Sequence, residues 1–267
     1  MDDFTSNSVA EFLIEAVGIT KVYKHFNNMH TACSDISFKI SSDDFIIIFG
    51  SGSSGKTTLL SIIYGIEKPD IGEVLLKGEP LYEFSEDERS FIRARKFGFI
   101  PHGFNWIDRF TLLDNVALPL FIIGHKEQEA RQIAYETLRY FGIERQYQLK
   151  PNAVKFFDQQ LASLARAIVN QPWIIFADEP YKNLDDDSAN KIFSYLKKIN
   201  EEKKIAVVVS TSQPELLKYS NKWLFIDKGR IENIKTNKNL LKRLKEVIIF
   251  VEKEEEALKK SEKKYSI

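Results

Sequence analysis

One octapeptide limits what this 267-residue chain can fold into. Gly50-Ser51-Gly52-Ser53-Ser54-Gly55-Lys56-Thr57 fits the pattern G-x-x-x-x-G-K-[ST]. It follows the apolar run Phe45-Ile46-Ile47-Ile48-Phe49 and opens a helical pattern reaching Gly65. Strand, small-residue loop and helix in that order make a phosphate cradle. Backbone N–H groups of small residues curl into an anion-binding nest, and the helix aims its positive end at the same point. Lys56 adds a point charge for the β- and γ-phosphates, and the Thr57 hydroxyl is a ligand for Mg²⁺. Nucleotide contacts are therefore expected along Gly50 to Thr57 and at Thr58. A merely flexible Gly/Ser loop would need neither the Lys-Thr pair nor the flanking elements.

A second strand pattern ends in carboxylates. Trp173-Ile174-Ile175-Phe176-Ala177 runs into Asp178-Glu179-Pro180. Open α/β sheets bind ligands beyond the carboxyl ends of their strands. Asp178 is thus expected to hold Mg²⁺, directly or through water, and Glu179 to orient or deprotonate an attacking water as the catalytic residue. The runs at 45–49, 174–177 and 205–209 are continuously apolar, which suits strands of a parallel sheet buried on both faces. Further strands are expected at 11–17, 36–40, 73–76, 97–100 and 223–226. Helices are expected at 56–65, 87–96, 111–123, 127–141, 158–170, 186–202 and 213–220. The stretch from about 86 to 170 is mostly helical and reads as an insertion.

Composition narrows the function classes. The formal net charge is zero, without the basic excess of a typical nucleic-acid binder. Cys33 is the only cysteine, so no intrachain disulfide can form. The start, Met1-Asp2-Asp3, lacks a signal-peptide pattern, and the apolar runs are too short to span a bilayer. A cytoplasmic location follows as the expectation, with any membrane link supplied by a partner. The four histidines have no metal-ligand spacing, so no zinc site is expected. From Asn237 to Lys264 the chain is rich in Lys and Glu, with Leu240, Leu241, Leu244, Val247, Ile248 and Val251 at helical spacing. This reads as a C-terminal helix docked by one face, or as an arm for a partner.

The order of these pieces resembles an ABC (ATP-binding cassette) ATPase along roughly residues 10–232. Phe176-Ala-Asp-Glu-Pro180 followed by Asn183-Leu184-Asp185 is similar to the family's Walker B motif and D-loop. Leu113-Asp-Asn-Val-Ala-Leu-Pro-Leu120, with Ala165-Arg-Ala167 downstream, is similar to the branch of lipoprotein-releasing, macrolide-exporting and cell-division ATPases. The resemblance implies an α/β fold: a RecA-like P-loop NTPase core, an antiparallel β subdomain and a helical subdomain at about 86–170. Residues 1–9 would be a tail and 233–267 an extension. It implies ATP and Mg²⁺ as cofactors and a working homo- or heterodimer, each ATP lying between one phosphate loop and the other subunit's signature motif. It also implies a membrane permease as partner, which would hold the chain at the inner face of the membrane. Tyr23 falls where the family stacks an aromatic on adenine, or is an ordinary strand-end tyrosine. Asp185 is a dimer-interface residue, a helix cap, or both.

Three positions depart from the family. Val154-Lys155-Phe156-Phe157-Asp158 stands in place of the signature Leu-Ser-Gly-Gly-Gln, adding bulk and a negative charge where small groups approach phosphate. His102 replaces the Q-loop glutamine, and Ser212 replaces the switch histidine. A serine can hydrogen-bond but lacks the reach and charge of imidazole. Together these point to nucleotide binding with impaired hydrolysis. Two readings stand: an ABC transporter ATP-binding subunit with slow turnover, and a non-catalytic regulatory or structural ATP-binding subunit. A P-loop kinase fits the Asp-Glu-Pro and Asn-Leu-Asp run less well.

Overall fold

The structure is a computed structural model and describes residues 12–25 and 28–236. In chain order its strands are β1 (Ile14–His25), β2 (Asn28–Ile40), β3 (Phe45–Phe49), β4 (Ile71–Leu76), β5 (Glu79–Pro80), β6 (Phe97–Ile100), β7 (Ile174–Asp178), β8 (Ala206–Thr211), β9 (Lys222–Asp227) and β10 (Arg230–Thr236). The helices are α1 (Lys56–Ile63), α2 (Glu86–Lys96), α3 (Leu112–Ile122), α4 (Glu127–Tyr140), α5 (Phe156–Ile168) and α6 (Asp186–Lys203).

Strand β3 lies between β8 and β9 in a six-stranded sheet of order β10-β9-β3-β8-β7-β6. All neighbours in it are parallel except β9 and β10. Its apolar strands divide between two cores by alternation, as a period of two requires. Phe45, Ile47, Phe49, Ile175, Ala177, Val207 and Val209 face the core shared with α3 to α6. Ile46, Ile48, Ile174, Phe176, Ala206 and Val208 face the core shared with α1 and the second sheet. That second sheet is antiparallel, of order β2-β1-β4-β5. The expectation of strands buried on both faces is met at β3, β7 and β8, which are buried throughout.

Helix ends follow local chemistry. Ser85 and Glu88 form a reciprocal capping box on α2, while Thr111 and Asp185 cap α3 and α6. Several boundaries differ from the sequence expectation. β1 and β2 run longer because their outer halves are polar and irregularly registered, which hides the alternation. β10 and β5 carry no apolar run to announce them. The 213–220 segment forms a 3₁₀ helix, Pro214–Tyr219, rather than an α-helix. α5 starts at Phe156, earlier than expected, because Lys155 takes the extended N-cap conformation. The proposed tail 1–9 and the C-terminal helical pattern beyond Thr236 lie outside the described residues.

Gly98 sets how closely α5 approaches β6. A Cβ there would lie 2.1 Å from the carbonyl oxygen of Ala167. A glycine inside a strand often marks such a backbone contact. Gly98→Ala should therefore destabilise the fold by about 1–3 kcal/mol through overpacking, lowering the urea midpoint. An unchanged midpoint would show that the helix yields freely.

Candidate functional site

The chain leaves β3 at Gly50 and enters the phosphate loop under tight contact. A Cβ on Gly50 would lie 2.3 Å from the Ile226 carbonyl oxygen, and one on Gly55, at φ +105°, 2.0 Å from that of Ala32. Only glycine fits both places. α1 begins at Lys56 without a side-chain cap, leaving its first amides turned to the loop. The Ser54 hydroxyl is buried and has no hydrogen-bond partner among the described residues. Lys56 Nζ donates to the carbonyls of Gly50 at 2.9 Å and Ser51 at 2.7 Å, so the ammonium sits inside the loop. Burial lowers its pKa, against the opposing pull of Glu179 and Asp178.

Asp178 ends β7 beside this loop with both oxygens held. The Thr57 hydroxyl donates to Oδ2 at 2.9 Å, and the Ser210 hydroxyl donates to Oδ1 at 2.6 Å. Ser210 pairs with Asp178 across β7 and β8 and accepts from the Glu179 amide at 2.9 Å. Glu179 itself takes φ +45°, a left-handed conformation uncommon outside glycine. Its carboxylate faces three basic groups: Lys56 Nζ at 3.7 Å, His102 Nδ1 at 3.7 Å and Lys182 Nζ at 3.5 Å.

A cleft of about 640 Å³ gathers Gly52 to Thr58, Tyr23, His102, Asp178 and Glu179, together with His30, Ala32 and Lys182. Of the expected site residues, all but Gly50 and Ser51 line this cleft. Tyr23 is 37% exposed, with its hydroxyl 2.7 Å from Glu67 Oε2 and Lys21 Nζ 5.8 Å from its ring centroid. His30 faces it across the β1–β2 ladder. His30, Lys182 and Ser210 were missed by motif reasoning; only Ser210 left a signal, as the first polar residue after an apolar strand. A larger cleft, about 800 Å³, lies around Trp173, Ile205 and Tyr140. It sits at the amino ends of β7 and β8, away from the carboxylates.

Two of the three altered positions, Ser212 and the signature position, are engaged by neighbouring side chains. Ser212 is turned to Tyr181: the two hydroxyls are 3.1 Å apart, and the Ser212 amide donates to Tyr181 Oη at 3.0 Å. Phe156, at the start of α5, packs on Phe104 at 4.8 Å between centroids, and Phe104 stacks on Trp106 at 5.7 Å. The indole N–H of Trp106 donates to Gln159 of α5 at 2.9 Å, and Arg166 donates to the Phe104 carbonyl at 2.6 Å. The loop that begins at His102 is thereby fastened to the signature-position helix. Asp158 is engaged by the Gln146 amide at 2.8 Å. Asp185 accepts from the Ser188 amide at 2.8 Å, which gives it the cap role.

The ABC transporter family profile matches residues 33–182, from β2 through both carboxylates to Lys182. The chain belongs to the ABC transporter family. ABC relatives match it over most of their length. A lipoprotein-releasing system ATP-binding protein, LolD, of Wigglesworthia glossinidia brevipalpis is 35% identical over 219 residues, 82% of this chain and 96% of that protein. An uncharacterised ABC transporter ATP-binding protein of Methanocaldococcus jannaschii is 36% identical over 222 residues, 83% and 99% of the two chains. The dimeric structure of a bacterial ABC transporter cassette superposes with a TM-score of 0.78 at 34% identity, covering 84% of this chain and 98% of that one. A post-hydrolysis dimer bound to ADP and Pi matches equally, at 33% identity. The chain is an ABC ATP-binding subunit with the P-loop NTPase fold, in the branch of the LolD proteins. No described helix is long and apolar enough to cross a membrane.

Cys33 lies at the root of the cradle, its Sγ 3.9 Å from the Gly55 carbonyl oxygen. Burial, helped by Glu67, pushes its thiol from 9.0 up to about 12. The thiolate is the reactive species, so iodoacetamide should spare native Cys33 at about pH 8 and label it in urea. The neutral thiol's contribution to stability is complete below about 9 and is lost as pH rises toward about 12. Rapid native labelling at neutral pH would contradict the burial.

Proposed function

We propose that this subunit binds Mg²⁺–ATP through the phosphate loop and uses that binding, with slow hydrolysis, to close a dimer and drive a membrane permease. Its ATP-binding unit would span residues 10–232, with the helices of 86–170 facing the permease. That partner would hold the chain at the inner face of the membrane. The observation that carries the reading is Asp178, fixed at both oxygens beside Thr57 and within the reach of Lys56. The cradle suits a phosphate chain, since its amides are uncapped and Ser54 Oγ awaits a partner. Thr57 and Asp178 would hold Mg²⁺, which would offset phosphate charge. Tyr23 would stack on the adenine with its exposed face. The dimeric cassettes matched above support the closed pair as the working state.

Turnover is the weak part of this machine. Glu179 would orient the water, but it faces Lys182, Lys56 and His102. Ser212 is committed to Tyr181, and the α5 start presents Phe156, 40% exposed, to a partner. Losing one preorganised donor to developing charge reduces rate roughly 100- to 1,000-fold in comparable sites. This paired Glu179 is also what favours the second reading, a subunit that binds ATP for assembly alone.

The purified protein should turn over ATP far below the typical enzyme rate of roughly 10 per second. Replacing Lys155→Ser, Phe156→Gly, Phe157→Gly and Ser212→His together should raise the rate, and Glu179→Gln should then remove the gain. A brisk, Glu179-dependent rate from the unmodified protein alone would overturn impaired turnover.

A further inference from the structure

The turn after the carboxylates carries a cation with no tight partner. The Lys182 amide donates to the Glu179 carbonyl at 3.0 Å, closing a four-residue turn, and the Leu184 amide donates to the Tyr181 carbonyl at 3.0 Å. Two non-glycine residues in left-handed backbone bracket it, Glu179 at φ +45° and Asn183 at φ +67°. Such conformations persist where the surroundings enforce them and cluster at functional sites. Here they return the Lys182 side chain across the mouth of the cleft, toward Glu179 Oε2.

Among the described residues lining that cleft, Lys56 and Lys182 are the two lysines. Lys56 is buried and donates two of its three N–H groups to the Gly50 and Ser51 carbonyls. Lys182 is half exposed, and its 3.5 Å approach to Glu179 is longer than an ordinary N–H···O bond. On the β8 side, Ser212 bonds to Tyr181 and brings no charge. His102 lies as near Glu179, but it is charged only when protonated. Among the described residues lining the cleft, Lys182 is thus the exposed permanent cation at its Glu179 end.

We infer that Lys182 is a second cation, beside Lys56, that meets the terminal phosphate of a bound nucleoside triphosphate and lets this subunit tell triphosphate from diphosphate. This rests on the reading of the cleft as the ATP site. A terminal phosphate there stands next to the Glu179 carboxylate, and two anions at close range repel. A flexible ammonium on a four-carbon stem can shift from Glu179 to lie between both. A diphosphate ends short of Glu179 and makes no demand on Lys182.

The test measures the affinities of the full chain for Mg²⁺ with ADP and with a non-hydrolysable ATP analogue. Lys182→Met should weaken the triphosphate about tenfold, as loss of one half-exposed charge contact, and change the diphosphate less than about twofold. Lys182→Arg should retain most of the discrimination. Repeating Lys182→Met in a Glu179→Gln background separates two causes. The loss should persist there, because the phosphate contact does not need Glu179. If it vanishes, Lys182 only neutralises Glu179 and the inference fails. Equal losses for both nucleotides, or none, would overturn it as well. Lys56→Ala is the control for the site itself: if both nucleotides still bind it at wild-type affinity, the cleft is misread, a result independent of Lys182.

Discussion

A buried carboxylate ties the nucleotide end of the fold together. Asp178 closes β7, takes one hydrogen bond from Thr57 in α1 and another from Ser210 in β8. Three elements thus meet at one side chain, and the phosphate loop is held against the sheet at that point. Hydrogen bonds to an ionised acceptor are the strong ones, and a buried carboxylate left without them would be costly. The glycine contacts act in the same sense: Gly50 against Ile226 and Gly55 against Ala32 leave the loop no second path. The geometry of the loop is therefore a consequence of packing.

The parts of this arrangement that come from contiguous residues were legible in the sequence. The phosphate loop and the Asp178-Glu179 pair are each one local pattern on an apolar strand, and β3, β6 and β7 fall where those runs lie. What lay beyond reach depends on neighbours distant in the chain. Ser210 matters because β8 pairs in parallel with β7, and Lys182 because a left-handed residue at Glu179 turns the chain back. The outer halves of β1 and β2 are strands through mutual pairing, since their exposed polar residues give no periodic signal. Pro214 and only six residues before Ser220 held the 213–220 segment to a 3₁₀ turn.

The departures from the family pattern are compensated structurally. Phe156 has a ring to pack on, Trp106 has an acceptor in Gln159, and Tyr181 fills the space beside Ser212. The contacts of Phe104 and Trp106 fasten the His102 loop to the start of α5.

A subunit of this kind must hold ATP and leave it as ATP. Protein in excess over nucleotide, mixed with Mg²⁺ and ATP, separated from free nucleotide and then denatured, reports both at once. The account predicts near-complete retention, with the released nucleotide still mostly ATP after many minutes. Recovery of ADP within seconds would contradict the slow chemistry, and failure to retain any nucleotide would contradict the site.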